Sequence, residues 1–137
     1  MDIAARSYAP GEAQGFVLVL QEPLSFWGGI DAVTGRVIDL THSSLGASIT
    51  GTVLLMPGGR GSSSSSSVLA ESLRLGTGPA AIVLATPDPI LTVGALVACA
   101  LYGIRCPIVV CAIDELESGT RVRVTADETG SARVEVL

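Results

Sequence analysis

The chain has 137 residues, a net charge of -5, and 48% hydrophobic residues against 15% charged. That length holds one domain, residues 1–137, and high apolar content with low charge excludes a disordered chain. Eight arginines stand without a single lysine. Nucleic acid therefore finds no basic face, and Schiff-base chemistry and the lysine-bearing phosphate loop are excluded.

Residues 1–6 lack the basic-then-apolar pattern of a secretory segment, so the sequence predicts a cytoplasmic chain with reduced thiols at Cys99, Cys106 and Cys111. Residues 15–20 read as a buried strand closed by Glu22-Pro23. Residues 24–31, with Phe26, Trp27, Gly28 and Gly29, read as a loop. Thr34-Gly35 turns the chain into a short strand at 36–39, and the polar stretch 41–46 carries the one histidine, His42. Residues 50–56 form a second apolar strand that ends at Pro57. After a glycine–serine run, 68–75 reads as a helix stopped by Gly76.

Residues 80–85 are the next strand, and Asp88 in Pro87-Asp88-Pro89 is placed to cap the helix 90–102. That helix is apolar nearly all round, which predicts burial on several sides. It is shorter than the roughly 20 residues of a bilayer span. A strand at 107–113 follows, then a hairpin with strands at 121–126 and 132–136. The middle of this order implies parallel pairing through right-handed crossovers, and the two ends imply antiparallel pairing. The predicted architecture is α/β: a parallel central sheet, helices on one face, and a smaller antiparallel layer on the other.

The segment Pro57-Gly58-Gly59-Arg60-Gly61-Ser62, with five more serines behind it, carries the candidate chemistry. A flexible linker is the plain reading of such composition, but no second domain flanks it. A serine helix cap is the other plain reading, and it leaves Gly-Gly-Arg-Gly unexplained. A glycine-rich turn between the end of a strand and the start of a helix is where open α/β sheets bind ligands. Bare amides and the helix dipole there favour an anion. Arg60 adds a planar charged fork for carboxylate or phosphate. Both the strict phosphate loop and the esterase elbow Gly-x-Ser-x-Gly are absent.

Three stretches resemble the small swivelling subunit of aconitase X-type dehydratases: Pro23-Leu24-Ser25-Phe26-Trp27-Gly28-Gly29-Ile30-Asp31, Thr34-Gly35-Arg36-Val37-Ile38-Asp39 with His42 behind it, and Leu55-Met56-Pro57-Gly58-Gly59-Arg60-Gly61-Ser62-Ser63-Ser64. Residues 78–84 and 102–107 fit the same pattern, so the likeness covers nearly the whole chain. The resemblance implies a three-layer β/β/α swivelling domain. It also implies a large catalytic subunit as partner, carrying an iron–sulfur cluster or iron, while this chain binds no cofactor itself. The implied reaction dehydrates a small hydroxy acid, with cis-3-hydroxy-L-proline as the first expectation and mevalonate 5-phosphate as the alternative. The first serine after Gly-Arg-Gly, Ser62, falls at the position of the family's catalytic base. Arg60, Gly61, Ser63, Ser64 and His42 are the expected substrate-binding residues. The chain departs from the family in having Ser43 after His42, where proline is common, and Ser65, where glycine is common.

Two other readings use the same loop: a stand-alone anion-binding module, and a serine hydrolase pairing Ser62 with His42. One histidine cannot build a histidine metal site, and the cysteines read as small core residues with no Cys-x-x-Cys spacing. Phe26 and Trp27 fit either the core or a partner's surface. Asp31 and Asp39 read as turn residues, and Arg105 as surface.

Overall fold

The computed structural model describes residues 1–137. In chain order the elements are β1 (Asp2–Ala9), β2 (Gly11–Val19), a kinked turn α1 (Phe26–Gly29), β3 (Ile30–Asp31), β4 (Arg36–Val37), β5 (Val53–Met56), α2 (Ser65–Leu75), β6 (Ala81–Leu84), α3 (Pro89–Tyr102), β7 (Ile108–Val110), β8 (Arg121–Ala126) and β9 (Ser131–Val136). Strands β2, β5, β6 and β7 run parallel to their neighbours in the order β2-β5-β6-β7. Every residue of β5 and β6 is buried. Such strands are covered on both faces and read as continuous apolar runs, not as alternating ones.

The two faces lead to two cores. Leu54, Met56, Ile82 and Leu84 meet α2, α3 and the turn around Phe26 in one cluster. Val53, Leu55, Ala81 and Val83 join Val109, Val122, Val124 and Val134 in the other. Alternate side chains along a strand point to opposite faces, which produces this division. The helices end where expected: Gly76 and Gly103 take left-handed conformations at the two helix C-termini.

The layered expectation needs correction. The sheet is one closed seven-stranded barrel, β1-β7-β6-β5-β2-β8-β9, sealed by β9 on β1. The parallel and antiparallel parts are arcs of that barrel, not separate layers. The seams are the two long strands. β2 pairs its start, from Gly11 to Phe16, with β8, and its end, from Val17 to Val19, with β5. β1 likewise pairs first with β9 and then with β7. β1 has no apolar run in its sequence. Its residues alternate between exposed and half-buried and include small ones such as Ala4, Ala5 and Ser7, so pairing defines the strand more than composition does. β3 and β4 form a separate two-stranded hairpin, where the sequence predicted a loop and a strand.

α3 is also less enclosed than expected. Leu91, Gly94, Ala95 and Ala98 are buried, yet Val93 is 51% and Leu101 68% exposed. Only α2 and the sheet cover it, and no further layer reaches its outer face. No helix is long and apolar enough to cross a membrane.

α2 and α3 pack closely because Gly94 has no side chain. A Cβ there would lie 2.6 Å from the Ser66 carbonyl oxygen, which is backbone and cannot move aside. Gly94→Val should therefore wedge the helices apart and destabilise the fold by roughly 1–3 kcal/mol. Urea unfolding followed by circular dichroism reads this, and an unchanged midpoint would show that the helices separate freely.

Candidate functional site

The loop 57–64 leaves the C-terminal end of β5 and enters α2. Three contacts hold it. Leu24 and Gly59 form a parallel bridge, with the Arg60 amide donating to the Leu24 carbonyl at 3.4 Å. The Thr86 amide and hydroxyl both donate to the Pro57 carbonyl at 3.2 Å. Gly59 lies so close to the Asp88 carboxylate that no Cβ would fit between them. That carboxylate accepts the amides of Ile90 and Leu91 at 2.9 and 3.0 Å. Asp88 thus caps α3 as its sequence position predicts, and the cap fixes the loop beside it.

α2 begins at Ser65, three residues before the predicted start. Contacts with other elements draw these serines into the helix despite modest propensity. The buried Ser65 hydroxyl accepts the Trp27 amide at 3.0 Å and lies 3.2 Å from the Ser25 hydroxyl. Ser66 donates to the Ser63 carbonyl at 2.9 Å. The expected serine cap is not made: Ser64 occupies the cap position without a side-chain cap bond. Outside the regular elements, no backbone hydrogen bond is donated by the amides of Gly61, Ser62, Ser63 or Ser64. Open amides at a helix N-terminus are suited to an anion or a developing oxyanion.

Arg60, Gly61, Ser63 and Ser64 are exposed on this loop, and Ser62 is half-exposed. A shallow cleft of about 260 Å³ separates Ser63 and Ser66 from Pro89, Ile90 and Val93. That is smaller than the roughly 300–1,000 Å³ of a typical ligand pocket, so this cleft by itself does not enclose a substrate.

His42 makes no hydrogen bond to the loop serines. It is only 6% exposed. Its Nδ1 accepts the Ser44 amide at 3.0 Å, leaving Nε2–H to donate to the Glu22 carbonyl at 3.2 Å. Both ring nitrogens are thereby engaged in holding the segment 42–44 against Glu22. Hydrogen bonds from Ser43 keep the Glu22 carboxyl below its ordinary range, with smaller help from the charges of His42 and Arg60. Hydrogen bonds from Thr41 do the same for Asp39, again assisted by His42 and Arg60.

Asp31 accepts the Val33 amide at 2.9 Å in a turn, as predicted. Phe26 is fully buried and Trp27 is 59% exposed, so the two aromatics divide between core and surface. Arg105 is exposed. The thiols are free, and burial pushes that of Cys106 up to about 12 and raises that of Cys111. No group of three His, Cys, Asp or Glu side chains comes together to hold a metal. Sequence reasoning missed the contacts of Ser25, Ser65 and Glu22. The one signal available was the departure at Ser65 from the glycine that the resemblance implies.

A profile described as the Aconitase X swivel domain matches residues 2–134. A protein named phosphomevalonate dehydratase small subunit, from Methanothermobacter thermautotrophicus, is 47% identical over 98 residues, which cover 72% of this chain and 75% of that one. A protein from Pseudomonas aeruginosa named cis-3-hydroxy-L-proline dehydratase is 46% identical over 106 residues, 77% of this chain but 18% of its own length. The crystal structure of Thermococcus kodakaraensis aconitase X in its holo form matches with a TM-score of 0.88 and 34% identity, across 100% of this chain and 98% of that one.

The carboxylates predict an acid sensitivity. Glu22, Asp39 and Asp127 all have folded pKa values below their ordinary ones, 4.5 for Glu22 and 3.8 for the two aspartates. The unfolded chain therefore binds more protons in this range, and the stabilisation is complete above the ordinary values and lost as pH falls through the folded ones. The thermal midpoint should hold level down to about pH 5 and drop below about pH 4. Replacing Glu22→Gln and Asp39→Asn together should flatten that drop. An unaltered pH profile in the double variant would refute the assignment.

Proposed function

Because the chain belongs to the aconitase X swivel domain family, we propose that it is the small subunit of a hydro-lyase that dehydrates a small hydroxy acid, with Ser62 as the proton-abstracting base. The observation that carries this reading is the loop itself. Ser62 is half-exposed beside Arg60, among amides that donate to no carbonyl of the chain. A serine hydroxyl is a very weak acid and acts as a base only when its alkoxide is stabilised. The guanidinium, the open amides and the α2 dipole supply positive potential at that point.

The Ser62 oxygen takes the proton from carbon, that electron pair forms the new double bond, and hydroxide leaves from the adjacent carbon. Arg60 orients the substrate carboxylate as a two-toothed donor. The amides of Gly61, Ser63 and Ser64 assist in holding the anion. His42 is a positioning residue in this scheme, holding the segment 42–44 against Glu22. In this reading an iron or iron–sulfur centre is carried by a large subunit. There it would supply Lewis acidity toward the leaving oxygen.

Both candidate substrates, cis-3-hydroxy-L-proline and mevalonate 5-phosphate, are hydroxy acids with a carboxylate for Arg60. The relatives bearing the two activities in their names are 47% and 46% identical to this chain, which does not favour either. The buried, doubly bonded His42 ring disfavours a Ser62–His42 hydrolase.

The test reconstitutes the chain anaerobically with its large subunit and assays both substrates. Ser62→Ala should bind the partner normally and lower kcat by roughly 100-fold or more. Arg60→Ala should raise KM and also lower kcat, since it removes both the carboxylate's partner and part of the positive potential at Ser62. Near-normal turnover by Ser62→Ala would remove Ser62 from the reaction, and an acyl-enzyme burst from an activated ester would favour the hydrolase.

A further inference from the structure

Residues 24–27 hold the glycine–serine loop at both of its ends. At the first end, Leu24 bridges to Gly59 and its carbonyl accepts the Arg60 amide. At the second end, Ser25 and Trp27 meet Ser65, the first residue of α2. Ser65 also reaches back into the loop, its amide donating to the Ser62 carbonyl at 2.9 Å. Ser62 therefore lies in a span whose two supports come from one stretch of chain.

The contacts at the second end have a direction. A hydroxyl has one proton to donate and lone pairs with which to accept. The Ser25 proton goes to the Trp27 carbonyl at 2.9 Å. It is then not free for Ser65, so Ser65 donates in the 3.2 Å contact between the two hydroxyls. The Ser65 oxygen accepts the Trp27 amide at 3.0 Å. The bonds run from the Trp27 amide to Ser65, from Ser65 to Ser25, and from Ser25 back to the Trp27 carbonyl. This is a closed ring in which each hydroxyl both donates and accepts, and bonds linked in that way polarise one another. Ser65 is 2% exposed, and a buried bond that loses one partner leaves the other unpaired. The glycine that the resemblance implies at position 65 has no hydroxyl to close the ring, so the ring depends on the serine of this chain.

We propose that Ser25 and Ser65 are positioning residues for the Ser62 hydroxyl. The ring fixes the backbone of Ser65, and the Ser65 amide fixes Ser62. Both ring protons are committed, so neither serine exchanges one with a substrate. The inference rests on the function proposed above, in which Ser62 takes a proton from carbon. Such a transfer needs a short, aligned contact, and a misplacement of about 1 Å costs roughly a hundredfold in rate.

Steady-state kinetics of the complex with the large subunit, assayed on both candidate substrates beside Ser62→Ala, tests the ring. Ser25→Ala and Ser65→Ala should each lower kcat roughly tenfold or more. KM should stay within about twofold, because Leu24 holds Arg60 from the other end. The double variant should fall no more than about twofold below the worse single one, since both changes open the same ring. Ser25→Thr keeps the hydroxyl and should retain kcat. The exposed Ser67→Ala should turn over as the unaltered complex does. Ser25 is only half-buried, so Ser25→Ala opens the ring even if Ser65→Ala fails to fold. Amide hydrogen exchange of the full chain gives a readout without turnover: the Trp27 amide should exchange at least about tenfold faster in either alanine variant. Unaltered exchange or unaltered kcat in the alanine variants, additive losses in the double variant, or a loss in Ser25→Thr equal to that in Ser25→Ala would overturn the ring as a positioning device and leave Ser62 as the base. No dehydration by the unaltered complex, or near-normal turnover by Ser62→Ala, would overturn the proposed function and this inference with it.

Discussion

Strands β5 and β6 are buried on both faces, and the rest of the molecule is arranged around that requirement. Such strands need an apolar layer on each side. α2, α3 and the Phe26 turn supply one. The antiparallel strands, curling round to close the barrel, supply the other. With both faces filled by side chains, polar chemistry has no place on the sheet itself. It is pushed to the ends of the parallel strands, where the loops after β2, β5 and β6 bring Glu22, Arg60 and Thr86 to one side.

The loop after β5 has the composition of a flexible linker and the contacts of a rigid one. Gly59 gives way to Asp88, whose carboxylate is occupied with capping α3. Gly94 lets the backbone of α2 settle against α3. Ser65 ties the start of α2 to the Trp27 turn. These contacts hold the backbone on either side of residues 61–64 and leave their amides pointing to no carbonyl of the chain. Rigid surroundings with unsatisfied donors in the middle are what electrostatic preorganisation requires. The Ser65 hydroxyl holds the Trp27 amide, so the glycine–serine loop and the exposed Trp27 turn share one hydrogen bond.

The domain is internally satisfied as a folded unit. Its two cores are filled and no buried side-chain polar atom lacks a partner. Yet its one histidine is engaged in holding a loop, burial raises the pKa of two of its thiols, and its cleft is open. A site divided between two chains is assembled by closure, which also excludes water.

The sequence by itself determined the parallel centre, the terminal hairpin, both helix stops, the Asp88 cap and the location of the glycine–serine loop. Each of these is a local signal: an apolar run bounded by breakers, a cap at a fixed offset, a glycine at a helix end. Only the tertiary structure decided the closure of the barrel, because β1 becomes a strand through pairing with β7 and β9 and its small, alternating residues announce nothing. It also decided which of Phe26 and Trp27 faces the core, and that His42 is engaged in hydrogen bonds. Moving the start of α2 back to Ser65 was likewise its doing. In each case the deciding partner is distant in the chain: Ser65 for Trp27, Glu22 for His42, Ser66 for Gly94. No local pattern records a contact between residues that only folding brings together.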